Sequence, residues 1–565
     1  MKKLSFVLIL LALSQGIHSQ IIEKVIDSAR IEKLDEVLVK AIRVEASSPI
    51  THSNVSKAEL ATRNLGQDLP ILLNYLPSVV TTSDAGAGIG YTGIRVRGVS
   101  AQSTNITING IPYNDAESLG TFWVDLPDFA SSVESLQLQR GVGTSTNGSG
   151  AFGASINILT DAISKDSQAE ISNTFGSYNT LKHNLKFSTG LLGSNIEISG
   201  RLSQIKSDGY IDRAASDLKS YFLQGAYTDD NTLIKMLVFG GHEITYQAWN
   251  GIDAETLKNN RTFNPSGIYT DDDGTINFHE NEVDNYKQDH YQLHWNQKIN
   301  NYWSARIGLN YTYGRGYFEQ YKENQSFSDY DLNDLIIGDT TINETDLIRR
   351  RWLDNRFYVV TTSISHTKKD LAMSFGSSFS LYDGDHFGEI IWAQYASDSK
   401  INDKYYEGNG EKLELNIFTK ATYKLNEKLS IYGDLQFRII DYKTSGLTSD
   451  RVNMLINEKY NFFNPKAGFT YEFNDGNSLY ISYARANREP SRSDFESNVN
   501  IKSEQLNDFE LGWRHNSNKL SLSTNFYYML YNEQLVLSGK IDDVGSPIRE
   551  NIGKSYRFGL EVDAN

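Results

Sequence analysis

From about residue 168 to the end, apolar and polar residues alternate with a period of two. In 195–203, Ile196, Ile198, Gly200 and Leu202 fall on one side, and Glu197, Ser199, Arg201 and Ser203 on the other. Leu371, Met373, Phe375, Phe379 and Leu381 alternate in the same way with Ala372, Ser374, Gly376, Ser378 and Ser380. Leu520, Leu522, Phe526, Tyr528 and Leu530 alternate with Ser521, Ser523, Asn525 and Tyr527. Side chains of a strand point to opposite faces at each step, so these runs predict strands with one wet face. Several run beyond about ten residues, longer than the ~5–6 of a soluble sandwich. Short turns near 192–194, 229–231, 300–301, 368–370, 426–428, 474–477 and 516–518 alternate with long polar loops at 250–285, 323–346, 394–410, 446–460 and 488–503. Short turns at one end and long loops at the other predict an antiparallel all-β transmembrane barrel over 168–565, of about sixteen strands.

Upstream the pattern changes. Residues 61–161 form a compact, glycine-rich, mixed region. Leu65 to Leu76 (LGQDLPILLNYL) predicts a short helix; Thr107–Asn109, Val133–Gln139 and Ser155–Thr160 predict strands. The first residues, MKKLSFVLILLALSQGIHSQ, carry Lys2 and Lys3, then an apolar run from Leu4 to Leu13, then small and polar residues. That is a secretory signal peptide over 1–19, because the run is too short to cross a bilayer as a helix. Residues 20–60 read as a polar leader with one apolar patch, Leu34, Asp35, Glu36, Val37, Leu38 and Val39.

Composition narrows the function classes. The formal net charge is −16, which argues against nucleic acid as a partner. There is no cysteine, hence no disulfide framework and no thiolate metal site. The chain has 33 Tyr but only 39% hydrophobic residues, which suits strands wetted on one face. No HExxH, EF-hand loop or paired catalytic constellation is present, so neither an enzyme nor a cofactor is expected.

One motif points elsewhere. Gly148-x-Gly150-x-x-Gly153 has the spacing of a dinucleotide-binding fingerprint. That reading needs a helix opening on the glycines, whereas Ile156 and Ile158 alternate with Ser155, Asn157 and Leu159 as in a strand. Glycines between two strands, Val133–Arg140 and Ser155–Thr160, serve tight turns and close backbone approach instead.

Several segments resemble a family in order. VESLQLQRGVGTSTNGSGAFGASINILT is similar to the last segment of the plug domain of TonB-dependent outer-membrane receptors. Gly93-Ile-Arg-Val-Arg-Gly98 resembles the plug's Ile-Arg-Gly segment, and Ile106–Asp115 its strand-turn-strand with an Asn-Gly-Ile-Pro turn. Leu34–Val39 resembles the TonB box, and Asn464–Phe469 through Ser482–Ala486 resemble strands of the iron-complex receptors. The resemblance implies an N-terminal α/β plug domain (61–161) in the lumen of a 22-stranded barrel. With about sixteen strands counted, a chain truncated at its C-terminus is expected. TonB would be the partner at 34–39, where an extended segment can add to a partner's sheet edge, and outer-membrane lipid would surround the barrel. Arg95, Arg97 and Arg140 would latch plug to wall. Ser83, Asp84, Tyr91, Tyr113, Asn114, Asp115, Phe122 and Trp123 would face ligand at the plug's outward apex. His386, placed at the start of a long loop, could ligate haem iron or a metal, or be ordinary polar surface. The ligand implied is a ferric siderophore or another iron complex; cobalamin or haem, or a passive porin or adhesin, are the alternatives.

Overall fold

The computed structural model describes residues 43–44, 47–148, 151–271, 273–474, 476–541 and 547–564. The signal peptide and the box segment at 34–39 lie outside the described residues.

The plug is built on five strands: β1 (His52–Ser56), β4 (Thr104–Ile108), β5 (Ile111–Pro112), β6 (Val133–Arg140) and β7 (Ala154–Thr160), with β2 (Val79–Ser83) and β3 (Thr92–Val96) paired separately. The sheet order is β1-β6-β7-β4-β5, and β4 runs parallel to β7. The segment after the glycines is therefore a central strand. Every residue of β7 is buried, and its Ile156 and Ile158 join Leu136, Leu138, Ile106 and Ile108 in one apolar core. Gly153 lies so close to Val99 that an added Cβ would stand 2.5 Å from its Cγ2. The glycine spacing serves packing.

Two short helices cover this core. α1 (Lys57–Arg63) starts in a capping box, with Ser56 and Glu59 satisfying each other's backbone N–H groups. It was not foreseen in the polar leader, which also supplies β1. α2 (Leu69–Leu72) is one turn within the longer helix expected at 65–76. Gly66 sits at φ +122, and Pro70, lacking an N–H, fits only a helix's first turn.

The rest of the chain forms a 16-stranded antiparallel sheet in which each strand pairs with its sequence neighbours, from Gln168–Gly176 to Lys554–Ala564 at its two edges. Strands are joined by short turns at one end and long loops at the other, as the alternation predicted. In Ser216–Thr228 the buried positions are Ser216, Leu218, Ser220, Phe222, Gln224, Ala226 and Thr228, while Lys219, Tyr221, Leu223 and Tyr227 face outward. Polar side chains fill the inside and apolar ones meet the surroundings, the inverse of a soluble protein. No helix among the described residues is long and apolar enough to cross a membrane. The plug core continues into the sheet through Phe222, Leu237 and Phe239.

Candidate functional site

Two sets of plug side chains meet the barrel, one in the body of the lumen and one at the loop end. In the lumen, β3 ends at Val96, and Arg97 takes a left-handed φ of +52 that turns its side chain into the wall. The guanidinium is fully buried. It donates to Glu510 at 2.6 Å and twice to the Glu561 carboxylate at 2.9 Å, and its face lies 4.1 Å from the Tyr527 ring. Burial opposes this charge, but Glu510, Glu561 and Asp508 outweigh it and hold Arg97 well above the usual guanidinium value. Arg140, at the end of β6, stands 3.3 Å from Glu561 without hydrogen-bond alignment and donates to Ser53 at 2.9 Å. Burial pulls it down despite Glu561. The Thr51 hydroxyl donates to Glu510, so the segment entering β1 touches the same cluster. Gly141 (φ +76) permits this approach, since a Cβ there would overlap Asp508.

Arg95, expected beside Arg97, faces the other way. Within β3, Ile94 and Val96 point into the plug core, so Arg95 points out and is exposed. A further anchor had no sequence signal: buried Asp128 accepts from Lys182 and Asn184 at 2.6 Å and from Ser203 at 2.7 Å, with Arg201 at 3.4 Å.

At the loop end, two plug loops carry most of the predicted ligand residues. In 83–91, Ser83 Oγ accepts from the Gly88 N–H at 2.9 Å. Burial pushes the Asp84 carboxyl up to about 6. Tyr91 donates to Asp284 and packs edge-on against Trp249 at 5.2 Å. In 112–123, Tyr113 donates to Gln288 at 3.2 Å and leans on His290. Asn114 and Asp115 hold the loop itself. Asn114 accepts from the Ile106 N–H and donates to the Thr104 and Leu119 carbonyls, and Asp115 accepts from the N–H groups of Glu117 and Ser118. Phe122 is 44% exposed, but its neighbour Trp123 is 3% exposed and packs in the plug core. The turn at Trp123–Asp125 sends one aromatic out and the next in, so Trp123 is not a ligand contact here.

His386 also differs from expectation. It lies inside the strand Leu371–Ala393, which runs well past the apolar band, and its Nε2 stands 2.7 Å from Glu117 Oε2. Glu117 also accepts from Tyr442 at 2.9 Å and Arg492 at 3.3 Å. Burial raises this carboxyl, but His386 and Arg492 outweigh it and hold it at about 2. His386 Nε2 is thus engaged with a plug carboxylate rather than standing at the start of an open loop. Arg492 starts the helix Arg492–Ser497 in a long loop, and its N–H donates to the Glu117 carbonyl at 2.9 Å. Asp494 of that helix is clamped by Arg549 from the next loop. The plug loop is therefore bound to the loops above it. Two crevices flank it, and both touch Pro112, Asn114 and Asp115. They are lined by mixed polar, charged and aromatic groups, among them Lys412, Arg488, Glu489, Gln288 and Tyr382.

Family models match both parts: "TonB-dependent Receptor Plug Domain" over 44–155, and "TonB dependent receptor-like, beta-barrel" over 226–565. The chain belongs to the TonB-dependent receptors. Its place is the outer membrane, and its family is one of receptors and transporters rather than enzymes. The receptor is 32% identical over 180 residues to the vitamin B12 transporter BtuB of Vibrio vulnificus, a stretch that spans 31% of this chain and 28% of that one. Its fold matches the FpvAI–pyocin S2 complex structure with a TM-score of 0.69 at 14% identity, over 92% of this chain and 66% of that one. It matches the closed form of the ferric-catecholate import receptor Fiu of E. coli K12 with a TM-score of 0.67 at 15% identity, over 92% and 78%. The receptor thus spans less than a third of the curated B12 transporter in alignment and about two thirds of the FpvAI chain.

Proposed function

We propose that this receptor imports a scarce, bulky chelate across the outer membrane, an iron complex such as a ferric siderophore or a ferric-citrate-like chelate, using energy supplied through TonB at 34–39. The observation that carries the reading is the route from leader to latch. The described residues begin at Arg43, whose guanidinium donates to the Ser135 side chain and carbonyl, and Thr51 further on touches the Glu510 that holds Arg97. Thr51 follows Val39 by twelve residues, so a pull on the leader acts on the chain that enters the plug–barrel cluster. Arg97 and Arg140 act as the latch, and Tyr91, Tyr113 and Phe122 offer aromatic surface to a planar or aromatic chelate. A plug that fills the lumen disfavours a passive porin.

Deleting 35–39 tests the coupling: uptake is lost while ligand binding at the cell surface persists. Uptake that survives the deletion rules TonB coupling out. The match to a vitamin B12 transporter favours cobalamin as a second reading. Cells carrying the receptor, offered radiolabelled cobalamin and ferric chelates in parallel, decide between them.

A further inference from the structure

The plug is fastened to the wall unevenly. Asp128 holds Lys182, Asn184 and Ser203 near one edge of the barrel sheet, and Arg97 holds Glu510 and Glu561 near the other. Between them in sequence, Ser145 is bound by Asp434 and Lys466. The strands Trp303–Ser326, Glu344–Lys368 and Leu371–Ala393 face the plug's edge strand β5 instead, which pairs only Thr107 with Pro112 and Ile108 with Ile111. The β4–β5 hairpin turns through Asn109 and Gly110 at φ +50 and +73, the tight turn with both angles positive that suits a hairpin. Among the described residues, its hydrogen bond to the wall comes from the Arg306 guanidinium, which donates to the Asn109 carbonyl.

Opposite the hairpin the wall is built of short side chains. Cross-strand pairing sets Gly308, Thr361, Ser378 and Asn416 in one inward row. A Cβ on Gly308 would stand 2.9 Å from Ile111 Cδ1, so the hairpin leans into the space this glycine leaves. The two crevices at the loop end of Pro112 continue into a third, bordered by Gly110, Arg306 and the same row. Ser380 and Glu414 border an upper crevice; Ser378 and Asn416, each two residues nearer the short turns, border the lower one. Two buried polar atoms stand unpartnered along it. Asn416 Oδ1 and Arg306 Nε, on residues 1% and 7% exposed, meet no hydrogen-bond partner. Buried polar groups are ordinarily paired with protein or water, so these atoms mark a place for water or a passing polar solute.

We propose that this seam is the passage across the lumen, with the 109–112 hairpin as its gate and Arg306 as the positioning residue that keeps it shut. This rests on the import reading above and gives it a route. Moving the gate breaks a two-residue edge pairing and one hydrogen bond, whereas parting the plug from either flank breaks buried ion pairs. Among the described residues no carboxylate lines the lower crevice, so an anionic, oxygen-rich chelate meets no like charge there and can accept from Arg306.

The test uses the purified full chain in planar bilayers, with potassium chloride as the probe and neither chelate nor TonB. A wrong reading of the cargo or of the leader therefore leaves the current as it is, while loss of the current leaves the uptake experiments standing. Wild type carries no steady current; Arg306→Ala, shown to be folded by heat-modifiable migration, conducts. The chain has no cysteine, so Ser378→Cys supplies a single thiol in the seam. In the Arg306→Ala background its modification by a bulky methanethiosulfonate blocks the current. Ser220→Cys, at a similar distance from its short turn but in the packed sector where Ser220 donates to the Pro127 carbonyl, does not. Equal currents in wild type and Arg306→Ala overturn the proposal. So does a current that Ser378→Cys leaves unblocked, or one that Ser220→Cys blocks equally. If Arg306→Ala does not fold, the same cysteines in the otherwise wild-type chain decide. In mild urea Ser378→Cys labels about tenfold faster than Ser220→Cys, because the less fastened sector opens first; equal rates overturn the passage.

Discussion

Arg97→Met keeps an unbranched apolar stem and removes the guanidinium. The wild-type side chain is fully buried and makes three charge-assisted hydrogen bonds of 2.6–2.9 Å to Glu510 and Glu561. Its loss leaves Asp508, Glu510 and Glu561 facing Arg140 as the remaining cation. Removing one partner of a buried ion pair costs about 3–5 kcal/mol, chiefly because the other charge stays buried and uncompensated. The receptor has no cysteine, so Val142→Cys supplies a single thiol. Val142 is 5% exposed and packs against the barrel beside this cluster, where its N–H donates to Asp508. Labelling of that thiol in urea reports release of the plug while the barrel strands remain folded. With a slope of about 2 kcal/mol per molar, the labelling midpoint falls by about 2 M in Arg97→Met. Arg95→Met, two residues away in sequence, shifts stability by less than about 0.5 kcal/mol because its side chain is exposed. Coincident labelling curves for wild type and Arg97→Met would refute the idea that this guanidinium holds plug to wall.

Other expectations follow from the loop end and the glycines. Asp84 has a folded value of about 6 against an ordinary 3.8, so its contribution is fully present below pH 4 and is lost as pH rises through 6. Asp84→Asn therefore stabilises the plug by up to about 3 kcal/mol at pH 7 and leaves it unchanged at pH 4; urea melts at both values check this. Glu117 runs the other way: held at about 2 against an ordinary 4.5, it stabilises above pH 4.5, and that contribution is lost as pH falls through 2. Glu117→Gln costs roughly 3 kcal/mol at pH 7 and speeds amide exchange in 489–503, with no further loss on acidification; unchanged exchange would exclude a clamp. Gly153→Ala drives a methyl into Val99 and costs about 1–3 kcal/mol, partly recovered by Val99→Ala; a neutral Gly153→Ala would mean that packing does not require the glycine.

The strands were legible because period-two alternation is local. Ile196–Ser207 and Leu371–Ala393 declare their two faces within ten residues. The strand after the glycines was legible for the same reason. The site was legible only where a sequence neighbourhood decides geometry. Loops 83–91 and 112–123 are such places, yet even there the pattern could not tell Phe122 from Trp123, because a single tight turn assigns one outward and one inward. Arg95 and Arg97 would share a face in a continuing strand; the left-handed residue that ends β3 separates them. Glu117 and Asp128 gave no signal, since their meaning lies in distant partners: His386, Tyr442 and Arg492, 269 to 375 residues from Glu117, and Lys182 and Ser203, 54 and 75 residues from Asp128.

The same separations order the assembly of the molecule in time. Asp128 finds Lys182 and Ser203 within 54 and 75 residues, on strands made just after the plug. Arg97 must wait for Glu561, 464 residues on, in the last strand described. Closing a loop of that length costs only about 2 kcal/mol more than the shorter one, but contacts of such range form slowly. The plug is thus tethered early to one wall and locked late to the other. During folding it is a resident of a half-made barrel, held at one side while the remaining strands are laid around it.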